Sequence, residues 1–278
     1  MSLLLAGFSA LMYGVGDFCG GLATRKSQVP VVLVFSQLVG LVLALGFAII
    51  LGQPLPSLTD AAWGAVAGIC GAAGLAALYS AIATTVVAVA SPVAAVTGAA
   101  IPVLLGVVMG ERPGALAWVG MGLAIAAIVL LTAGPTEKKP DGVTGRAFLL
   151  GAAAGLGFGL FFFAISRTSH ASGIWPLVAA RAVTVTIVGI IALVTGRSLR
   201  PGGPGFFIAL LSGCLDMGAN IAFLLATRIG LLSLAAVVTS LYPAPTVLLA
   251  MLVFRERLTV PRAVGLAIAC AGVAFISL

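Results

Sequence analysis

Apolar stretches of helical length alternate with short polar breaks along the whole chain. The breaks carry turn chemistry: Gly52-Gln53-Pro54, Gly134-Pro135, Pro140-Asp141-Gly142 and Pro201-Gly202-Gly203-Pro204. Hydropathy between these breakers predicts helices at about 3–22, 30–51, 61–83, 87–109, 115–134, 146–166, 173–195, 204–226, 231–254 and 261–278. Each approaches the roughly 20 residues that cross the hydrocarbon core of a bilayer. Ten crossings are even in number, so both termini are expected on one side. The longest polar stretch, Pro135 to Gly145, divides the chain nearly in half.

Composition agrees with that pattern. Of 278 residues, 62% are hydrophobic and 8% charged, against about a quarter charged in soluble domains. The polar residues are too few to cover a water-facing surface, which excludes a soluble catalytic or nucleic-acid-binding domain. The formal charge of +7 is a topology signal, because the basic residues fall mostly between apolar runs. Cys19, Cys70, Cys214 and Cys270 all lie inside apolar stretches and read as small packing residues rather than a disulfide framework or a ligand set. The first run starts almost at Met1, without a basic segment ahead of it, so a retained first helix is expected.

Sliding the second half back by about 145 positions superposes Gly110-Glu111-Arg112 on Arg255-Glu256-Arg257 and Gly120 on Gly265. The same shift places Leu5, Leu11 and Gly14 on Leu150, Leu156 and Gly159. The expected organisation is a first five-helix repeat over 1–134, a linker over 135–145 and a second repeat over 146–278. An odd number of helices per copy forces opposite membrane orientations, the inverted-repeat plan of many secondary transporters. The expected fold is therefore an all-α membrane protein, with ten transmembrane helices arranged as two inverted five-helix repeats around a central cavity.

Each half also resembles the EamA-type unit of the drug/metabolite transporter superfamily. The resemblance rests on a helix ending Val108-Met109-Gly110-Glu111-Arg112 with Gly120 in the next helix, and on Val253-Phe254-Arg255-Glu256-Arg257 with Gly265. Pro243 stands where the family usually has a proline before the glutamate; Pro102 sits closer to Glu111, so the first copy departs there. The resemblance covers nearly the whole chain and implies a secondary transporter exporting metabolites or amino acids, similar to the aromatic amino-acid exporters of the YddG type. It leaves the substrate open.

Lys and Arg are unevenly distributed. Arg25, Lys26, Lys138, Lys139, Arg146, Arg197, Arg200, Arg255, Arg257 and Arg262 fall on one side of the predicted topology, and Arg112, Arg167 and Arg228 on the other. The positive-inside rule puts the first group in the cytoplasm and both termini on the periplasmic side of a bacterial inner membrane.

Ionisable groups within the hydrocarbon region are default site candidates, because they cost several kcal/mol unless they face a cavity or a partner. Three stand out: Asp17, Arg181 and Asp216. The repeat shift sets Asp17 on Phe162, Asp216 on Gly71, Asn220 on Leu75 and Arg181 close to Phe35 and Ser36, so the architecture does not require these polar groups. Glu111 and Glu256 occur in both copies at helix ends and read as caps or interfacial partners of Arg112 and Arg257. At a rise of about 1.5 Å per residue, Arg181 and Asp216 reach similar depths on consecutive helices. They form either a buried pair that fixes packing or a site in which Arg181 receives a carboxylate. Asp216, Asn220 and Thr227 share a helix face. Asp17, four residues after Tyr13 among glycines, is either hydrogen-bonded in a packed seam or a proton-coupling carboxyl.

The other cavity candidates are Tyr13, Tyr79, Ser80 and Tyr242, whose hydroxyls need partners when buried. Phe158, Phe161, Phe162 and Phe163 read first as packing or lipid contacts, and Trp175 as an interfacial anchor. Pro102, Pro243 and Pro245 are hinge candidates expected to interrupt helices four and nine and free carbonyls. His170, the only histidine, is expected to be a solvated loop residue. Gly14-Val15-Gly16 lacks the third glycine and the preceding strand of a nucleotide-binding turn. Neither zinc-ligand spacing nor a protease elbow appears, so no metal, cofactor or catalytic role is expected.

The sequence thus points to a transporter of small metabolites, amino acids foremost, working as a monomer within the lipid bilayer and without nucleic acid. The rival readings are a multidrug or other permease, a uniporter, and a membrane-embedded enzyme acting on lipids.

Overall fold

The computed structural model describes residues 1–84, 87–132, 143–196, 199–200, 202–254 and 259–277. Eleven α-helices account for most of them: α1 (Ser2–Thr24), α2 (Val29–Ile50), α3 (Leu58–Thr84), α4 (Val87–Val108), α5 (Ala115–Thr132), α6 (Val143–Ser166), α7 (Trp175–Val194), α8 (Pro204–Ile229), α9 (Leu232–Thr239), α10 (Pro243–Phe254) and α11 (Val260–Ser277). Prolines in the first turn open α2 and α7, where their missing N–H costs no intrahelical bond. Gly52 (φ 58°) and Gly196 (φ 64°) turn the chain after the same two helices, in a region that other residues avoid.

Among the described residues eight apolar segments are long enough to cross a bilayer, α9 and α10 together forming one over Leu232–Val253, and Val93–Val108 and Ala115–Leu131 are two shorter apolar helices, which makes ten in all. The break between α9 and α10, Ser240-Leu241-Tyr242, has a covalent cause. Pro243 and Pro245 lack the N–H groups that would reach the carbonyls of Thr239 and Leu241. Those carbonyls do not stay free for a ligand, as the hinge reading expected: Tyr242 N donates to Thr239 O at 3.2 Å, and Ala244 N to Leu241 O at 2.9 Å. Tight turns thus replace the helical ladder. Helix four departs from expectation in the opposite sense, since α4 runs unbroken through Pro102, whose side chain is fully buried.

Packing displays the inverted repeat directly. The pair α1–α8 is matched by α6–α3, α2–α8 by α7–α3, and α1 against α9 and α10 by α6 against α4. The pairs α2–α7, α4–α9 and α5–α11 map onto themselves. Around the molecule the order is α1, α8, α2, α7, α3, α6, α4, α9 and back to α1, with α5 and α11 packed together outside this ring. The strongest pairs join one repeat to the other, so neither repeat forms a separate body.

Small residues bring these helices together, since lipid offers no hydrophobic drive for helix association. A Cβ on Gly155 would lie 2.6 Å from Thr97 Cβ, and one on Gly159 would lie 2.6 Å from Ile101 Cβ. That glycine pair is therefore engaged within the chain, against α4. Serine hydroxyls staple the α1–α8 seam: Ser2 to Ala226 O, Ser9 to Ala219 O and Ser212 to Gly16 O, each at 2.8 Å. The outer perimeter carries exposed apolar side chains such as Phe207, Leu193 and Leu252, the surface a bilayer requires.

Candidate functional site

The ring of helices encloses a cavity of about 220 Å³. One wall is polar: Tyr13 and Asp17 from α1, Gln37 from α2, Arg181 and Thr184 from α7, Asp216 and Asn220 from α8, and Ser240 and Tyr242 from the α9–α10 break. The other is apolar: Gly71, Leu75 and Leu78 from α3, Ala94, Ala95 and Gly98 from α4, and Phe158, Phe161 and Phe162 from α6.

Five residues of the polar wall have their repeat mates in the apolar wall. Under the shift of about 145 positions, Tyr13 corresponds to Phe158, Asp17 to Phe162, Asp216 to Gly71, Asn220 to Leu75 and Ser240 to Ala95, and all ten residues line the cavity. The helix order and helix contacts repeat, while these side chains do not. Duplication supplied one scaffold twice, and divergence made a polar face of one set of positions and an apolar face of the other.

Arg181 organises the polar wall. It is 7% exposed, and its guanidinium donates from Nη1 to Gln37 Oε1 and from Nη2 to Asp216 Oδ2. The Arg181–Asp216 ion pair anticipated from helix depth is thus formed, with Gln37 added. Gln37 had no part in the sequence reading, although an amide in the middle of α2 is a signal of the same kind as Asn220. Thr184 and Ser240 were missed for a different reason: small hydroxyl residues occur throughout transmembrane helices. Thr184 Oγ1 donates to Gly68 O at 3.1 Å and to Ala180 O at 3.0 Å, so it ties α7 to α3.

Asn220 stands one helical turn beyond Asp216, and its Nδ2 donates to Asp216 O at 2.7 Å. Its Oδ1 is buried with no hydrogen-bond partner among the described residues. Asp17 is exposed, opening to the cavity, and forms no ion pair among the described residues. Tyr13 joins the two walls, its ring set edge-on to Phe162 at 6.1 Å between centroids and to Tyr242 at 6.3 Å. Gly14 permits this junction: a Cβ there would lie 2.5 Å from Tyr242 O.

Ser80 departs from expectation. It is exposed, its hydroxyl donates to Ala76 O at 2.8 Å, and it takes no place in the cavity wall. The side chain of Tyr79, and Glu256 with its neighbours Arg255 and Arg257, lie outside the described residues. Thr227 shares the α8 face of Asn220 but bonds its own helix at Leu224 O, 2.9 Å away, and does not line the cavity. Phe158, Phe161 and Phe162, first read as packing, form the apolar wall. The repeat shift linking Phe162 to Asp17 was the available signal.

A second polar cluster ties the repeats together at the face that carries Met1. Asp60 Oδ1 accepts from Ser169 N and Asp60 Oδ2 from Ser169 Oγ, both at 2.7 Å. Asp60 is itself set by Ser57, whose Oγ accepts from Asp60 N at 3.1 Å as a cap of α3. Gln53 Oε1 accepts from Ile174 N at 2.7 Å, and Trp175 Nε1 donates to Gln53 O at 3.2 Å. Arg228 Nη2 donates to Ser169 O at 3.0 Å and to Gly173 O at 2.5 Å. His170 is exposed in the one-turn 3-10 segment between these contacts.

No candidate metal cluster occurs among the described residues, and the four cysteines are free. No curated protein matches this chain at a significant level. A solved crystal structure, described in print only as that of a protein, superposes with a TM-score of 0.80 at 18% identity. The match covers 99% of this chain and 96% of that one, and it shows the shared fold. The sequence pattern of the EamA-like transporter family matches residues 1–133 and, a second time, residues 145–278.

Proposed function

Because the chain belongs to the EamA-like transporter family, we propose that it is a secondary transporter exporting small amphipathic metabolites, amino acids foremost, by alternating access across a bacterial inner membrane. The observation that carries this reading is the two-faced cavity. A membrane-enclosed site with polar groups on one wall and phenylalanines on the other suits a molecule with a polar head and an apolar body. Its volume of about 220 Å³ lies below that of pockets for drug-sized ligands, commonly about 300–1,000 Å³, which favours a small metabolite over a multidrug substrate.

The discontinuous α9–α10 span and the inverted repeats support the mechanism. The cluster around Asp60, Ser169 and Arg228 ties the 167–174 connection down at the Met1 face, so these contacts have to part for the pathway to open there, and alternating access then exposes the site at the opposite, Lys/Arg-rich face. On the positive-inside rule that face is cytoplasmic and the termini are periplasmic. The moving bodies combine helices of both repeats, since α1 packs on α8 and α3 on α6. Both repeats line one cavity, so a monomer contains a complete pathway.

Counterflow in proteoliposomes loaded with a mixed amino-acid pool tests the reading. Saturable exchange of apolar amino acids, reduced at least about tenfold in Asp216→Asn, is the expected result. Loss of a charge-assisted bond removes energy on that scale. A folded protein that exchanges no amino acid under any gradient overturns the substrate assignment.

A further inference from the structure

The polar wall contains one cation, Arg181; each terminal nitrogen gives one of its two N–H donors to a protein acceptor, and Asp216 balances its charge. One holds Gln37 and the other holds Asp216. What the wall also leaves open is acceptor capacity with no cation of its own. Asn220 is 2% exposed, and the orientation of its amide follows from chemistry: Asp216 O can only accept, so the NH₂ group must face it. That leaves Oδ1 buried without a donor among the described residues, a condition that is unfavourable until an N–H or O–H arrives. The second open acceptor is the Asp17 carboxylate, exposed and without an ion pair among the described residues. Both groups lie where α1 meets α8; a Cβ on Gly16, next to Asp17, would be 3.6 Å from Asp216 N.

Resting on the transporter reading, we propose that the polar wall reads the ammonium group of the substrate, which donates to Asn220 Oδ1 and faces the Asp17 carboxylate. Arg181 is then a positioning residue that holds Gln37 and Asp216 in place, and a substrate carboxylate is not the recognised end. The ligand class is a primary amine with an apolar body, and an amino acid qualifies through its amine. The apolar body occupies the side of Leu75, Phe158 and Phe162. The wall matches this class in charge as well, since Arg181 and Asp216 compensate one another and Asp17 is left without a protein cation.

Three probes of one carbon skeleton test the proposal on the full chain in proteoliposomes and in detergent: L-leucine, 3-methylbutylamine, which lacks the carboxylate, and 4-methylpentanoate, which lacks the amine. The amine is expected to bind and to inhibit leucine counterflow, and the acid to do neither. Asn220→Leu places at this position the residue that its repeat mate carries and removes both polar atoms; with the fold checked by thermal melting, amine binding is expected to weaken about tenfold or more. Asp17→Asn is expected to weaken amine binding with the fold intact by thermal melting.

Binding of 4-methylpentanoate in preference to the amine overturns the proposal, as does unchanged amine binding in Asn220→Leu and Asp17→Asn. Failure of both truncated probes to bind also overturns it. The two readings fail separately. Leucine exchange inhibited by the acid leaves the transporter reading standing without the amine subsite. Amine exchange with no amino-acid exchange leaves the subsite standing and removes the amino-acid assignment.

Discussion

Glu111 caps a helix that begins 121 positions later in the chain. From the turn between α4 and α5, its Oε1 accepts from Leu232 N at 2.6 Å and its Oε2 from Ser233 N at 2.9 Å. Those are the first two residues of α9, whose N-terminal amides lack intrahelical acceptors and carry partial positive charge. The sequence reading offered capping or pairing with Arg112, and the carboxylate caps the opposite repeat.

Removing that cap leaves two amides without acceptors at the end of an eight-residue helix, too short to be stable by itself. Glu111→Ala is expected to cost about 1–2 kcal/mol. Glu111→Gln retains one acceptor oxygen and should lose less. Thermal melting of the purified protein in detergent reads the difference; equal melting temperatures for all three forms contradict the capping role.

The Arg181–Asp216 pair predicts strong coupling. Arg181→Met strands the half-buried Asp216 carboxylate and the Gln37 amide, and the expected cost lies below the about 3–5 kcal/mol of a fully buried pair broken from one side. Arg181→Met combined with Asp216→Leu should recover much of that loss, because no unpaired charge remains. A double-mutant cycle on unfolding measures the coupling, and additive single effects would show the pair to be unimportant for stability.

Asp60 predicts accessibility. Its carboxylate holds the 167–174 connection through Ser169, and Asp60→Ala removes both acceptors. Ser240→Cys, in a chain with Cys19, Cys70, Cys214 and Cys270 replaced by alanine, is then expected to react several-fold faster with a membrane-impermeant thiol reagent added on the Met1 side. An unchanged labelling rate with Asp60→Ala would detach this cluster from gating.

The predicted starts and ends of the helices lie close to the observed ones, and the reasons are local. Span length is set by bilayer thickness, and in hydrocarbon every backbone polar group must be satisfied within its own segment. The turn residues that end a span act over a few positions, as Gly52 and Gly196 do. The repeat was legible because two copies of one pattern can be compared within a single chain. The break at Ser240–Tyr242 was legible for the same local reason, the missing N–H groups of Pro243 and Pro245. Unbroken α4 shows the limit: Pro92 and Pro102, ten positions apart, are tolerated where Pro243 and Pro245, two apart, are not.

Which side of each helix faces the cavity was decided elsewhere. In a soluble protein an apolar stripe marks the inner face, but here lipid and interior are both apolar, so helical periodicity carries little information about rotation. Ser80 and Asn220 are both polar residues within spans; packing turned Ser80 outward and set Asn220 in the wall. Gln37, Arg181 and Asp216 come from three different helices, and their meeting depends on the α2–α7 and α2–α8 contacts. Local chain chemistry determined that this protein crosses a membrane ten times in two related halves. Long-range packing determined that the phenylalanines of α6 face Asp17 of the other half, and Arg181 and Asp216 of their own half, across a single cavity, because helix rotation and adjacency are properties of the assembled bundle and of no single segment.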